Sequence, residues 1–310
     1  MENELNKLFR MYTDECEFSR RLRPETVRGY KAVFSLFLKV MPEVSSTRSL
    51  TPETLNEFFK RIQTRKRIVG KDTIKTGVKN STVKTHWTKL NVFFAWLVKK
   101  GYLLENPLKD IRPPVVRYDD FKRLSDAELS KIYSAVTLQS SNSLLQRRDT
   151  LMISLLVFLG VRKGEFISLK VHDIDLVKEQ ITIRGETSKS KRPRTLCLAP
   201  SLLLHIKDYL KERNSRGLKT DQLIVSNRGD RGLSRQGLKH WVENLRKKSG
   251  VRFHLHQFRH TFACKLAEAN VNAFNIQKMM GHANISMTMK YVRSMQTEDM
   301  GRDICKISIY

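Results

Sequence analysis

Residues 151–165 read LMISLLVFLGVRKGE, and the organisation of the C-terminal half can be worked outward from them. The run from Leu151 to Leu159 is apolar on every side, which predicts a helix buried all round, and Gly160 predicts its end. Arg162 follows within three residues of that core element. An arginine emerging from a buried helix is well held, and its planar fork suits a phosphate. Taken alone, the stretch reads equally as a surface arginine at a helix start. Beyond it the period changes. Gln180-Ile181-Thr182-Ile183-Arg184 and Arg194-Thr195-Leu196-Cys197-Leu198 alternate like two strands. The hairpin tip between them carries the basic run Thr187-Ser188-Lys189-Ser190-Lys191-Arg192-Pro193-Arg194, which suits a DNA groove or a solvated turn equally. Three or four further helices are expected to follow. This half is expected to be mostly helical with one small antiparallel sheet.

N-terminal to this region the pattern is helical. Pro24-Glu25 opens a segment with Tyr30, Val33, Phe34, Phe37 and Leu38 at helical spacing. Thr51-Pro52-Glu53 is a capped start with proline in the first turn, feeding Leu55, Phe58 and Phe59. Asn80-Ser81-Thr82 starts a third long helix, with Trp87, Leu90, Phe94 and Leu97 on one side and Gly101 at its end. The stretch from Arg65 to Lys79 between them reads as a basic loop. Asn106-Pro107 and Arg112-Pro113-Pro114 break the period, and Leu124-Ser125-Asp126 caps a new helix. The expected division is a helical domain over 1–111, a linker over 112–123 and a second domain over 124–310. The tail of the second domain, 292–310, carries Ile304, Ile307, Ile309 and Tyr310, apolar residues that a free terminus would rarely keep exposed and that are expected to pack on an adjacent protomer.

Charge narrows the partners. Lys and Arg total 58 against 31 Asp and Glu, a net +27. Such a surface attracts polyanions, and duplex DNA carries roughly one charge per 1.7 Å; an anionic membrane surface or a ribosomal role would fit the number as well. Position favours nucleic acid. Between Lys60 and Lys100 there are twelve basic residues and one acid, Asp72. A solvated face normally mixes signs. This run straddles the start of the third helix, whose free N–H groups suit a phosphate, so Lys79, Thr82 and Lys84 are candidate DNA contacts, with Lys191 and Arg192 on the second domain's hairpin. Cys16, Cys197, Cys264 and Cys305 are scattered with no CxxC pair, which argues against a disulfide framework or zinc cluster. The N-terminus MENELNKLFR lacks a secretion signal's apolar core, and no apolar run is long enough to span a bilayer. A cytoplasmic protein with no membrane contact is expected.

Two further stretches carry polar groups without an evident structural need. In His254-Leu255-His256-Gln257-Phe258-Arg259-His260, the stripe of Leu255, Phe258, Phe262 and Leu266 leaves His256 and Arg259 together on another face. His256 and His260 have the spacing of a zinc-protease helix, but that chemistry needs a glutamate where Gln257 stands; no metal is expected. Met280-Gly281-His282-Ala283-Asn284 precedes Tyr291, which alone would pass for a packing residue.

Arg162 in Gly-Val-Arg-Lys-Gly-Glu, a hairpin lysine, His-x-x-Arg-His, Gly-His and then Tyr, in this order, resembles the tyrosine recombinase/integrase family. The resemblance covers nearly the whole chain, and the ordered set is specific where each motif alone is weak. It implies a mainly α protein with a small antiparallel β-sheet: an N-terminal helical core-binding (SAM-like) domain and a C-terminal α+β catalytic domain, in an Xer-like or Cre-like layout. It implies a site-specific recombinase that cleaves and rejoins DNA through a 3′-phosphotyrosyl intermediate, without metal, ATP or cofactor. Carried over by position, Arg162 and Arg259 clamp the scissile phosphate, and His256 assists proton transfer. His282 hydrogen-bonds the phosphate, Lys189 protonates the leaving 5′-oxygen and Tyr291 is the nucleophile. Lys191 competes with Lys189 for its role. Glu165 holds a position that is usually acidic and orients its neighbours. The implied assembly is a homo-tetramer, or a hetero-tetramer with a related recombinase, on a synapse of two duplexes. Phe258 departs from the family's leucine, and the 65–79 stretch is longer and more basic than in compact Xer-type members. Two alternatives share the fold: a type IB topoisomerase activity and a non-catalytic DNA-binding protein.

Overall fold

The computed structural model describes residues 3–70, 73–116, 123–137, 142–188 and 192–295. The chain divides between residues 119 and 120 into two compact units. It is mainly helical, with two small antiparallel sheets.

The first unit is built on α1 (Glu4–Asp14), α2 (Pro24–Val40), α3 (Pro52–Thr64) and α4 (Asn80–Lys99). Their starts follow local chemistry. The Asn3 side chain accepts from the Asn6 N–H at 2.8 Å and the Thr51 hydroxyl from the Thr54 N–H at 3.3 Å, while Pro24 and Pro52 stand in the first turns. The core is aromatic. Phe9 stacks on Phe34 with ring centroids 3.9 Å apart, and Phe93 meets both edge-on.

Where the sequence predicts a loop from Arg65 to Lys79, the structure has a hairpin of β1 (Lys66–Val69) and β2 (Thr73–Thr76), with Ile68 opposite Ile74. The first unit thus carries a two-stranded sheet of its own, besides the one expected in the second unit. Ile68, Val69, Thr73, Ile74 and Thr76 are β-branched, and their strand preference shows once charge is set aside. Gly77 closes the hairpin base. Its φ is +64°, and a Cβ there would lie 2.1 Å from the Gln63 carbonyl oxygen at the end of α3.

The second unit opens with α5 (Asp126–Thr137), where Ser125 and Glu128 cap each other's backbone N–H groups. It continues with α6 (Ser143–Leu159), the short α7 (Lys163–Ile167), β3 (Ile174–Asp175), β4 (Gln180–Ile183), β5 (Arg194–Cys197) and α8 (Pro200–Ser215). Last come α9 (Arg235–Ser249), α10 (Leu255–Glu268), α11 (Ala273–Met280) and α12 (Ser286–Met295). Leu151, Met152, Ile153, Leu155, Leu156 and Leu159 are buried on all sides of α6, which packs against α8 and α10. Gly160 ends α6 at φ +53°, and a Cβ there would come within 2.4 Å of the Phe262 ring. The sheet order is β3-β4-β5, with Ile183 opposite Arg194. The third strand is too short to show in the sequence pattern. Among the described residues, no helix is long and apolar enough to cross a membrane.

Candidate active site

Three arginines converge on the end of one short helix. Arg194 Nε donates to the Met279 carbonyl at 2.8 Å, Arg259 Nη2 to the Met280 carbonyl, and Arg162 Nη2 to the Gly281 carbonyl at 2.9 Å. These are consecutive carbonyls at the C-terminus of α11, where unsatisfied oxygens and the negative end of the helix dipole favour cations. Each arginine arrives on a different element. Arg162 caps the start of α7 just beyond α6, Arg194 begins β5, and Arg259 lies in α10. Arg259 also donates to the Gly160 carbonyl at 2.7 Å, tying α10 to the end of α6. Gly281 has φ +60°, and a Cβ there would stand 3.0 Å from Arg194 Nη1, so this close approach requires glycine.

Glu165 joins two of the three. Its Oε1 accepts from Arg162 Nη1 at 2.9 Å and Arg194 Nη1 at 3.2 Å; its Oε2 accepts from Arg194 Nη2 at 2.8 Å and the Arg162 backbone N–H at 2.9 Å. Burial pushes this carboxyl's pKa up. The Arg194 and Arg162 contacts outweigh that and hold it down at about 2. One buried carboxylate thus faces three guanidiniums, and the cluster keeps an excess of positive charge. Burial, then the Arg162 charge, lowers the Arg259 pKa, and at neutral pH the group remains a cation.

Tyr291 lies on α12 with 4% of its surface exposed. Its hydroxyl is 2.7 Å from Nδ1 of His260, and its ring lies parallel to His282 with centroids 6.3 Å apart. The His256 ring meets His260 edge-on at 4.4 Å. His282 follows α11 directly, with Nδ1 2.9 Å from the Thr288 hydroxyl. Burial raises the Tyr291 pKa to about 12, against the opposing pull of Arg259. Burial also lowers His260 to about 4, aided by His256 and Arg259, and His282 to about 3, aided by Arg259 and Arg162. His256 is lowered as well, by desolvation and then by Arg259 and Arg162. At neutral pH all three imidazoles are uncharged. The positive charge beside the phenol is that of the guanidiniums.

Of the residues singled out in the sequence, Arg162, His256, Arg259, His282 and Tyr291 belong to this one cluster. Lys189 and Lys191 lie outside the described residues, while Arg192 is exposed just ahead of β5. Lys79, Thr82 and Lys84 belong to the other unit, at the start of α4, with both lysines exposed. Two members of the cluster are absent from the sequence-based set. Arg194 shares a strand face with the buried Leu196 and Leu198, and an arginine on that inward face was the available signal. His260 stands next to Arg259 and one turn from His256. Among the described residues, no group of three or more His, Cys, Asp or Glu side chains could hold a metal ion.

Fold and site together define a class: a two-unit, mainly helical protein whose second unit sets a buried tyrosine hydroxyl beside clustered guanidiniums. The chain belongs to the phage integrase family, whose model matches residues 122–298. It is 25% identical over 290 residues to a tyrosine recombinase of Thermosipho africanus, covering 93% of this chain and 95% of that one. It is also 25% identical to the tyrosine recombinase XerC of Serratia marcescens, covering 88% and 85%. Among solved structures, the Tn1549 transposon integrase in complex with circular intermediate DNA superposes with a TM-score of 0.72 at 17% identity, covering 97% of this chain and 99% of that one. A lambda integrase dimer bound to a core site gives 0.69 at 21%, covering 98% and 99%. These two share the fold.

Proposed function

We propose that this enzyme is a site-specific DNA recombinase in which Tyr291 attacks the scissile phosphate and forms a 3′-phosphotyrosyl bond. The observation that carries this reading is the placement of the Tyr291 hydroxyl among neutral imidazoles beside Arg162 and Arg259. Attack at phosphorus builds charge on the non-bridging oxygens, and guanidiniums fixed in advance stabilise it without reorganising. The Gly281 and Glu165 contacts engage two of Arg162's N–H groups, and the Gly160 and Met280 contacts two of Arg259's. A guanidinium carries five such donors, so each retains some for a phosphate. His282, its ring fixed through Thr288, supplies a further donor, and His256 assists proton transfer. In this reading Lys189 protonates the departing 5′-oxygen, since an alkoxide is too poor a leaving group to depart unprotonated. The phosphotyrosine stores the energy of the broken bond, so rejoining needs neither ATP nor metal.

The partner is duplex DNA at specific sites. Residues 1–111 form a core-binding domain that grips it through Lys79, Thr82 and Lys84, while Lys191 and Arg192 extend the contact from the catalytic domain, 124–310, beyond a linker at 112–123. Exchange between two duplexes needs two cleavages on each, and hence four protomers, with the tail 292–310 bridging neighbours. Cys16, Cys197 and Cys264 are free thiols, which suits the cytoplasm.

The test is a selection. Full-length protein is incubated with a library of randomised, nicked duplexes, and strands that remain attached after denaturation are recovered and sequenced. The wild type should enrich one sequence as a covalent adduct. Tyr291→Phe should form none while binding the enriched duplex with unchanged affinity. An adduct with the phenylalanine variant would remove Tyr291 from the nucleophile's role.

A further inference from the structure

His260 is in contact with the nucleophilic oxygen, and neither the sequence motif nor the roles assigned above give it a function. We propose that His260 is the general base of cleavage, taking the Tyr291 phenolic proton as the phosphotyrosyl bond forms, and that His256 acts behind it. The proposal rests on the reading of Tyr291 as nucleophile.

Geometry comes first. A general base must lie within hydrogen-bond reach of the proton it removes, and His260 Nδ1 is 2.7 Å from the Tyr291 hydroxyl. His256 makes its ring contact with His260, edge-on at 4.4 Å. The protonation states agree. His260 is neutral and the phenol protonated at pH 7, so the phenol donates and Nδ1 accepts, leaving the ring's other proton on Nε2. In the step itself the Oη–H bond breaks and its proton passes to Nδ1. The Oη electrons form the bond to phosphorus, the bond from phosphorus to the 5′-oxygen breaks, and that oxygen takes a proton from the general acid. Rejoining runs the same transfers in reverse, and His260 returns the proton to Tyr291.

The charged and titratable groups around the pair explain why transfer waits for DNA. Burial, then His256 and Arg259 on the same helix, oppose an imidazolium at His260, and Arg259 and Arg162 add to burial in opposing one at His256. Cys264 of α10 and the burial of the phenol oppose a phenolate, while Arg259 and Arg162 favour it. In the resting enzyme the proton stays on oxygen. A phosphodiester bound by the arginines brings in a negative charge that offsets their opposition to the imidazolium. The proton can then move as the new bond forms.

The competing role is a latch, in which His260 merely holds Tyr291 folded inward. The two separate in single-turnover cleavage of the nicked duplex enriched above, with wild-type adduct formation and the inactive Tyr291→Phe protein showing that the nucleophile assignment stands. His260→Gln keeps a side-chain acceptor and removes the base; His260→Ala removes both. Each should slow cleavage by roughly 10²–10⁴-fold at pH 7 with duplex affinity unchanged. The deficit should shrink about tenfold per pH unit towards pH 9, as solvent hydroxide replaces the base. Added imidazole should restore part of the His260→Ala rate. A rate equal to or above wild type in the glutamine variant would establish the latch and overturn the proposal, as would a deficit independent of pH in a glutamine variant of wild-type melting temperature.

Discussion

The cations of the two units are held in opposite ways. In the first unit Lys66, Lys75, Lys79 and Lys84 are exposed. Arg61 engages Glu57 and Glu43, and Lys100 engages Glu15; between them these four lysines pair with no acid among the described residues. In the second unit Arg162, Arg194 and Arg259 are withdrawn from solvent, each with at least one donor fixed on a backbone carbonyl. Exposed charges on long stems act through a screened field. They raise affinity and encounter rate, and their effect fades with salt. Buried guanidiniums with fixed orientation act on one anion at one place, and little of their effect is lost to reorganisation. The first arrangement suits gripping a polyanion, the second transforming one bond of it.

Arg259 gives the largest expected break in this comparison. Arg259→Ala removes a proposed phosphate ligand and leaves the Gly160 and Met280 carbonyls without that donor. Single-turnover cleavage of the enriched duplex should fall by at least about a hundredfold. The melting temperature should also drop, since each buried carbonyl left unpaired costs about 1–3 kcal/mol. Arg259→Lys keeps the charge but not the fork, and should recover only part of either loss. If Arg259→Ala weakened binding in a salt-dependent way and left the rate alone, the buried cluster would be doing the work of surface charge, and the contrast between the units would fail.

Glu165 tests the same contrast through pH. Its folded-state pKa is about 2, below the value near 4.5 of an unperturbed glutamate. The stabilisation is therefore fully present above about pH 5 and is lost as pH falls towards 2. The shift corresponds to on the order of 3 kcal/mol. Thermal melts should place Glu165→Gln well below wild type at pH 7, with the gap closing between pH 5 and pH 2. A gap constant across that range would show that the carboxylate charge does not hold Arg162 and Arg194.

What the sequence disclosed follows from how each residue carries its signal. Helices α2, α3, α4 and α10 were legible because their apolar stripes repeat at 3.6 residues, and α6 because it is apolar all round. By contrast, α1 was not picked out, and among the described residues five helices stand after β5 where three or four are expected. Most of the candidate site was legible only as an ordered set, since no local pattern joins Arg162 to Tyr291. The β1–β2 hairpin was obscured by its own charge: Lys66, Arg67 and Lys75 read as loop, and the alternation of Ile68 and Ile74 spans too few residues to stand out. The role of Arg194 depends on facing Glu165 across 29 positions, and that of His260 on α12 bringing Tyr291 back onto α10. Spacing along one helix describes neither.

The smallest expected effect belongs to the exposed lysines at the start of α4. Lys79 precedes the first turn and Lys84 lies one turn further on, both in solvent and unpaired with any acid among the described residues. If they meet DNA phosphates, Lys79→Gln and Lys84→Gln should each lower affinity for the enriched duplex and for an unrelated duplex of the same length by similar factors. Each should also reduce the slope of log affinity against log salt by about one. At high salt the variants and the wild type should converge. Neither should move the melting temperature, because no buried partner is lost, and neither should alter the cleavage rate once the duplex is saturated. Thr82→Val sharpens the point: a hydroxyl contact carries no counterion, so its loss should weaken binding without changing the salt slope. A lysine variant that slows cleavage at saturation would show that the grip also positions the scissile phosphate. Gripping and transforming would then be coupled functions of the two units rather than separate ones.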